Sequence, residues 1–127
     1  MMDKEVKKQH IIVVPVYKQM TVYEKLSFER LIEVTGHTSD ICLVCPVDFD
    51  ESAFIRLFLK LRVQRFDNSY FKSKESYSML CTTADFYEIF SDYEYMLIYQ
   101  LDCWIFFNLI DYFVRLGYDY YGAPWYG

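Results

Sequence analysis

Glycine is scarce in this chain. The four glycines among 127 residues, Gly36, Gly117, Gly122 and Gly127, form neither a dinucleotide-binding fingerprint nor a P-loop, so any phosphate must be held by another device. Basic charge is also in deficit. Thirteen Lys and Arg stand against 18 Asp and Glu, a formal net charge of −5, with a pI near 4.9. A nonspecific nucleic-acid binder needs a basic surface to displace counterions from phosphates, and that class is excluded. No apolar run reaches the roughly 18 residues of a membrane-spanning helix, and residues 1–10, MMDKEVKKQH, are polar, so neither an anchor nor a signal peptide is expected. A disulfide framework is missing too. Cys42, Cys45, Cys81 and Cys103 lie within apolar segments rather than loops, which reads as reduced thiols in a cytoplasmic protein.

What the chain has in quantity is apolar and aromatic surface. Apolar residues are 54% of the chain and charged residues 24%, enough for a sizeable core in one domain. The 13 Tyr and 11 Phe call for a dry interior or a stacking surface. Residues 11–17, IIVVPVY, and 41–47, ICLVCPV, are continuous β-branched or apolar runs, the pattern of strands buried on both faces. Between them Val22, Leu26, Leu31, Ile32 and Val34 share a helical face that Gly36 ends. Helices are expected over 51–61, 76–90 and 109–116, a short strand over 63–66, and the strongest strand over 95–101, YMLIYQL. Alternation of this kind implies crossovers, hence an α/β fold with a mostly parallel sheet and helices on both faces. Residues 1–10 read as a polar lead and 11–127 as a single domain without repeat or linker.

In open α/β sheets, ligands bind beyond the carboxyl ends of the strands. The residues there are Pro15, Val16, Tyr17 and Lys18, then Asp48 and Asp50, then Gln100 and Asp102. Asp102 is the notable one, because in YMLIYQLDCWIF a buried, unpaired carboxylate would cost several kcal/mol. It either meets a compensating cation or donor, such as Mg²⁺ or Mn²⁺ bridging to a substrate phosphate, or caps a turn. Asp48 and Asp50, in PVDFDES, read equally as an ordinary turn ahead of a helix. Cys42 and Cys45 form a CxxC whose alternation would put both on nearly the same region of the strand. With no second CxxC and no nearby His, packing is favoured over zinc or redox chemistry. Tyr77 reads as core.

The segments VVPVYK, YEKLSFERL, LVCPVDFD, YQLDCWIF and above all GYDYYGAPW resemble a domain-of-unknown-function family of glycosyltransferase-like proteins. That family carries a Tyr-Asp-Tyr-Ile-Gly-Ala-Pro-Trp signature and is similar to nucleotide-sugar transferases of the GT-A fold. The resemblance spans residues 11–125, with Tyr121 in place of the usual Ile.

The resemblance implies a GT-A-like, apparently truncated domain that binds a UDP- or GDP-type sugar donor. Pro15, Val16 and Tyr17 would contact the base, Asp48 would supply the acid after the second strand, and Gln100-Leu101-Asp102 would stand where a DxD motif presents metal to the diphosphate. Asp102 is then the metal ligand for Mn²⁺ or Mg²⁺. Gln100 brings no charge, so the metal is expected to be weakly held or dispensable. The resemblance also implies that the usual acceptor-binding C-terminal half is lacking. Neither His10 nor His37 matches a downstream metal ligand, and no general base can be named, Asp111 and Asp119 being poor candidates. Two readings follow: a glycosyltransferase or its donor-binding part, and a noncatalytic remnant of the same fold. A third is an unrelated interaction domain with an aromatic surface. A missing half would leave Trp104, Trp125 and Tyr126 exposed and favour self-association.

Overall fold

The computed structural model describes residues 8–118 and 120. Four strands, β1 (Lys8–Pro15), β2 (Asp40–Pro46), β3 (Arg62–Phe66) and β4 (Tyr93–Ile98), form one sheet in the order β3-β2-β1-β4. Every pairing is parallel: Ile12 of β1 lies opposite Ile41 of β2 and Leu97 of β4, and Leu43 of β2 opposite Val63 of β3. The fold is α/β, as the alternation of elements predicts. β1 begins three residues earlier than the hydropathy suggests, so Lys8, Gln9 and His10 belong to the strand rather than to the polar lead.

The two central strands are continuously apolar over Ile11–Val14 and Ile41–Cys45 because both faces of the sheet are covered there. On one face Ile12, Val14, Ile41, Leu43 and Cys45 pack with Phe28 and Leu31 of α1 (Val22–Thr35) and Phe54 of α2 (Ser52–Leu57). Phe28 meets Phe54 edge-on with ring centroids 5.2 Å apart. On the other face Ile11, Val13, Cys42 and Val44 pack with Leu80 of α3 (Lys74–Leu80), Phe86 of α4 (Ala84–Ile89) and Phe90. Cys42 and Cys45 therefore lie on opposite faces. This corrects the expectation of a shared region, since a spacing of three is odd and strand side chains alternate with a period of two.

Three other differences have local causes. The helix expected over 76–90 is two helices, because Thr83 caps a new one by accepting the Phe86 amide proton. The helix expected over 51–61 stops at Leu57, where Phe58 turns extended. The strand expected over 95–101 runs from Tyr93 to Ile98, because the chain turns at Gln100, whose carbonyl accepts the Cys103 amide proton, and as β4 it pairs with β1 alone among the described residues and leaves Leu97 exposed. α5 (Ile110–Leu116) ends at Gly117, whose left-handed φ of 77° suits glycine. Among the described residues no helix is long and apolar enough to cross a membrane.

The crossovers set the location of the site. From β1 the chain steps to β2 and β3 on one side, then returns past β2 and β1 to place β4 on the other side of β1. β1 and β4 are thus neighbours at the point where the strand order reverses, and in such sheets a crevice opens at the carboxyl ends there.

Candidate functional site

A cavity of about 470 Å³ occupies that crevice. Its walls come from three places: Pro15, Val16, Tyr17 and Lys18 after β1, Gln100, Leu101 and Asp102 after β4, and Phe71, Lys72, Ser73, Lys74 and Tyr77 from the segment leading into α3, with Glu24 of α1 at its border. Five of the six residues predicted to contact a ligand thus meet in one place. The sixth, Asp48, is exposed at the end of β2 and does not border the cavity.

Each wall is held by backbone pairing. The Val16 amide donates to the Val44 carbonyl at 2.8 Å, extending the β1-β2 ladder past Pro15, and the buried Val16 side chain fixes the loop. Tyr17 follows with 62% of its surface exposed, leaving the ring available for stacking. The Lys18 ammonium lies 5.8 Å from that ring's centroid. Beyond β4 the Tyr99 amide donates to the Val13 carbonyl at 2.9 Å, and the Cys103 amide closes a turn on the Gln100 carbonyl at 3.0 Å. Leu101 is the buried plug of that turn, while Gln100 and Asp102 on either side are exposed. This corrects the burial argument for Asp102: its neighbours in sequence are apolar, but the turn lifts its carboxylate into solvent, so it incurs no large desolvation cost.

The turn is anchored from α1. The Ser27 hydroxyl lies 2.9 Å from the Tyr99 phenol, and both donate to the Cys103 carbonyl. One turn further along, Arg30 donates through Nε to the Ile105 carbonyl at 3.2 Å and through Nη2 to the Phe106 carbonyl at 2.8 Å. At the third wall the Ser73 hydroxyl caps α3 by accepting the Ser76 amide proton at 3.1 Å. Tyr77 on α3 borders the cavity rather than being solely core. Its hydroxyl is buried without a hydrogen-bond partner among the described residues, and that burial, with Cys81 nearby, pushes its pKa up.

The loop carrying Asp48 is built differently. Phe49 donates to the Pro46 carbonyl at 3.3 Å to close a turn. Arg65 reaches in from β3, its Nη1 donating to the carbonyls of Pro46, Val47 and Phe49 at 3.2, 3.3 and 2.8 Å, and its Nη2 pairing with Glu51. Asp50 accepts from the Ser52 amide at 3.0 Å, and hydrogen bonding from the Ser52 side chain and then its amide holds the carboxyl below the usual range. Gln19 bonds the Asp50 carbonyl at 2.9 Å, tying the loop after β1 to the loop after β2. In this loop Arg65 is the organising cation.

The donor set of the cavity bears on a divalent ion. Its carboxylates are Glu24 and Asp102. Glu24 is engaged in a capping box, accepting the Thr21 amide proton at 2.9 Å. Among the described residues no three His, Cys, Asp or Glu converge as a ligand set, whereas Mg²⁺ requires about six oxygen ligands. Asp102 could supply one of them, and the remainder would have to come from substrate and water, so the side chains do not fit a cation held by the protein itself. Lys18, Lys72 and Lys74 border the same space, and none is in an ion pair with a described residue. Lys72 and Lys74 were not singled out from sequence; the only trace is the Lys-Ser-Lys run ahead of α3.

The CxxC thiols are core. Burial pushes the Cys42 thiol up to about 12 and the Cys45 thiol up to about 11, values at which neither is a ready nucleophile or metal ligand. His10 is half-buried with Nε2 at 2.6 Å from the Ser39 hydroxyl, and His37 is exposed. Asp111 lies exposed on α5, while Asp119, Trp125 and Tyr126 fall outside the described residues.

No curated protein and no solved structure matches the chain. One family model does, over residues 60–127, taking in the walls supplied by α3 and by the turn after β4. That match covers more than half of the chain, and the chain belongs to the family described as protein of unknown function DUF5672.

Proposed function

We propose that the crevice between β1 and β4 binds a nucleoside-diphosphate sugar and that the domain serves glycosyl transfer from it to an acceptor. The observation that carries this reading is the convergence of Pro15, Val16, Tyr17, Gln100 and Asp102 on one cavity at the reversal of strand order. Its two halves suit the two ends of such a ligand. Tyr17, Phe71 and Tyr77 offer aromatic surface for a base, and the lysines offer positive charge for a diphosphate. Gln100 has an amide that can hydrogen-bond a ribose or sugar hydroxyl. In the transfer, the bond between the anomeric carbon and the diphosphate oxygen breaks, a bond to the acceptor oxygen forms, and the acceptor's proton leaves to a base. Positive charge fixed at the cavity would stabilise the departing diphosphate.

Calorimetric titration of UDP and GDP into the purified chain, with and without Mn²⁺, tests the reading. Saturable binding of one nucleotide, weakened by Tyr17→Ala, is the expected result. Failure of both to bind under either condition would leave a noncatalytic domain of the same architecture.

A second reading rests on a separate observation. Trp104, Phe106, Phe107, Leu109, Tyr112 and Phe113 are all exposed in the segment after Asp102, a run of apolar surface of the kind that marks an interaction site. It supports association with a partner or a second copy, and a monomer by sedimentation at high concentration would refute self-association.

A further inference from the structure

We infer that this cavity neutralises a bound diphosphate with Lys18, Lys72 and Lys74 and does not need a bound divalent cation to do so. The inference deepens the nucleotide-sugar reading and rests on it for the ligand's identity, but the recognition of the diphosphate can be tested without the nucleoside.

Three lysines converge on one cavity from two sequence-distant segments, the loop after β1 and the segment entering α3. They do so in a chain whose net charge is −5. None of the three is in an ion pair with a described residue, although the Lys72 charge helps to lower the Asp67 carboxyl, whereas Lys25 and Arg65, away from the cavity, are paired with Glu29 and Glu51. Lys18 keeps its ammonium beside the Tyr17 ring, at the junction of the aromatic and basic walls. An ammonium is a compact point charge with three donors, suited to phosphate oxygens of varied geometry. The acidic side is thin by comparison. Asp102, whose carboxylate has Cys103 Sγ at 3.8 Å, is the one carboxylate bordering the cavity outside the α1 capping box, and on its own it cannot provide the ligand shell that Mg²⁺ or Mn²⁺ demands. Gln100, standing beside it, adds no charge.

The test is calorimetric titration of inorganic pyrophosphate, once in EDTA and once in Mn²⁺, into the full chain and into three variants: Lys72→Gln/Lys74→Gln, Lys60→Gln and Asp102→Asn. All of the substituted side chains are exposed, and an unchanged melting temperature confirms the fold. The expected result is binding in EDTA that falls about ten-fold in the double lysine variant, as loss of two partly screened ion pairs would give. Lys60→Gln, outside the cavity, should have no effect, and Asp102→Asn, which removes a negative charge from the cavity, should bind pyrophosphate more tightly than the parent in EDTA. Added NaCl should weaken the parent more than the double variant.

No binding in EDTA, binding that appears only with Mn²⁺ and is lost in Asp102→Asn, or a double lysine variant that binds like the parent would each overturn the inference. UDP and GDP titrated in parallel separate it from the reading beneath it. Nucleotides that bind no better than pyrophosphate refute the nucleoside assignment and leave the lysines standing. A nucleotide that binds only with Mn²⁺ refutes the lysine inference and leaves the nucleotide assignment intact.

Discussion

Ser27 on α1 and Tyr99 beyond β4 are separated by 72 residues, yet their hydroxyls lie 2.9 Å apart, and both donate to the Cys103 carbonyl. This polar knot joins a helix on the first face of the sheet to the turn bearing Gln100 and Asp102. It explains how an exposed carboxylate can still be held in place: the side chain is in water, but the backbone on either side is pinned by Leu101 and Cys103.

Tyr99→Phe removes one hydroxyl and leaves the other bond to the Cys103 carbonyl in place, so the expected loss is about 1 kcal/mol. Urea unfolding should show a lowered midpoint with an unchanged slope. Ser27→Ala should cost a similar amount, and the double variant more than the two together, because only then is the buried carbonyl left without a partner. Strict additivity would mean that the knot is not one unit.

Arg65 makes the loop after β2 sensitive to acid. Its guanidinium holds the Glu51 carboxyl below the ordinary value of 4.5, and Asp50 and Asp67 are lowered by hydrogen bonds from Ser52 and Ser69. A depressed folded pKa contributes stability that is complete above the unfolded value and disappears as pH falls through the folded one. Thermal stability should therefore decline below about pH 4.5, and Glu51→Gln should lower the plateau at pH 7 while flattening the decline. Arg65→Met leaves the carbonyls of Pro46, Val47 and Phe49 without their donor and should cost about 1–3 kcal/mol. An acid limb that is identical in Glu51→Gln would show that the pair contributes nothing.

How much of this was legible in the sequence depends on whether the signal was local. β1 and β2 could be read directly, because burial on both faces leaves runs such as IIVV and CLVC with no polar position. The walls after β1 and β4 followed from those strands, as sites in such sheets lie at carboxyl ends. The third wall was not legible: Lys72 and Lys74 reach the cavity only because the chain returns past β2 and β1 before forming β4, and nothing within FKSKES records that path. Asp102 was misjudged for a related reason. Hydropathy averages over neighbours, whereas the turn alternates, burying Leu101 and exposing the residues beside it. The break in the expected 76–90 helix did have a local sign, the capping residue Thr83 three residues before Phe86, but the apolar spacing across it masked the boundary.

Tyr77 offers a prediction with an unusual sign. Its hydroxyl is buried with only the weakly bonding Cys81 thiol near it among the described residues, so it carries a desolvation cost that a phenyl ring avoids. Tyr77→Phe should leave stability unchanged or raise it by up to about 1 kcal/mol. A loss of more than that in chemical denaturation would reveal a partner for the hydroxyl. If nucleotide affinity falls while stability does not, the hydroxyl turns toward ligand in the bound state.

The cysteines give a probe of the site that needs no catalytic assay. Cys103 is exposed beside Asp102, with its Sγ 3.8 Å from a carboxylate oxygen, whereas Cys42 and Cys45 are buried in the sheet. Partial burial and the adjacent Asp102 charge push the Cys103 thiol up, so it should react with iodoacetamide more slowly than a free thiol at pH 8, yet far faster than the two core thiols, whose values are about 12 and 11. Asp102→Asn should speed the reaction by removing the neighbouring negative charge. A ligand seated against Gln100 and Asp102 should slow it, and peptide mapping after brief labelling with and without UDP would show this at Cys103. Equal labelling of Cys103 in both samples, at a UDP concentration that saturates by calorimetry, would place the bound nucleotide away from the turn after β4.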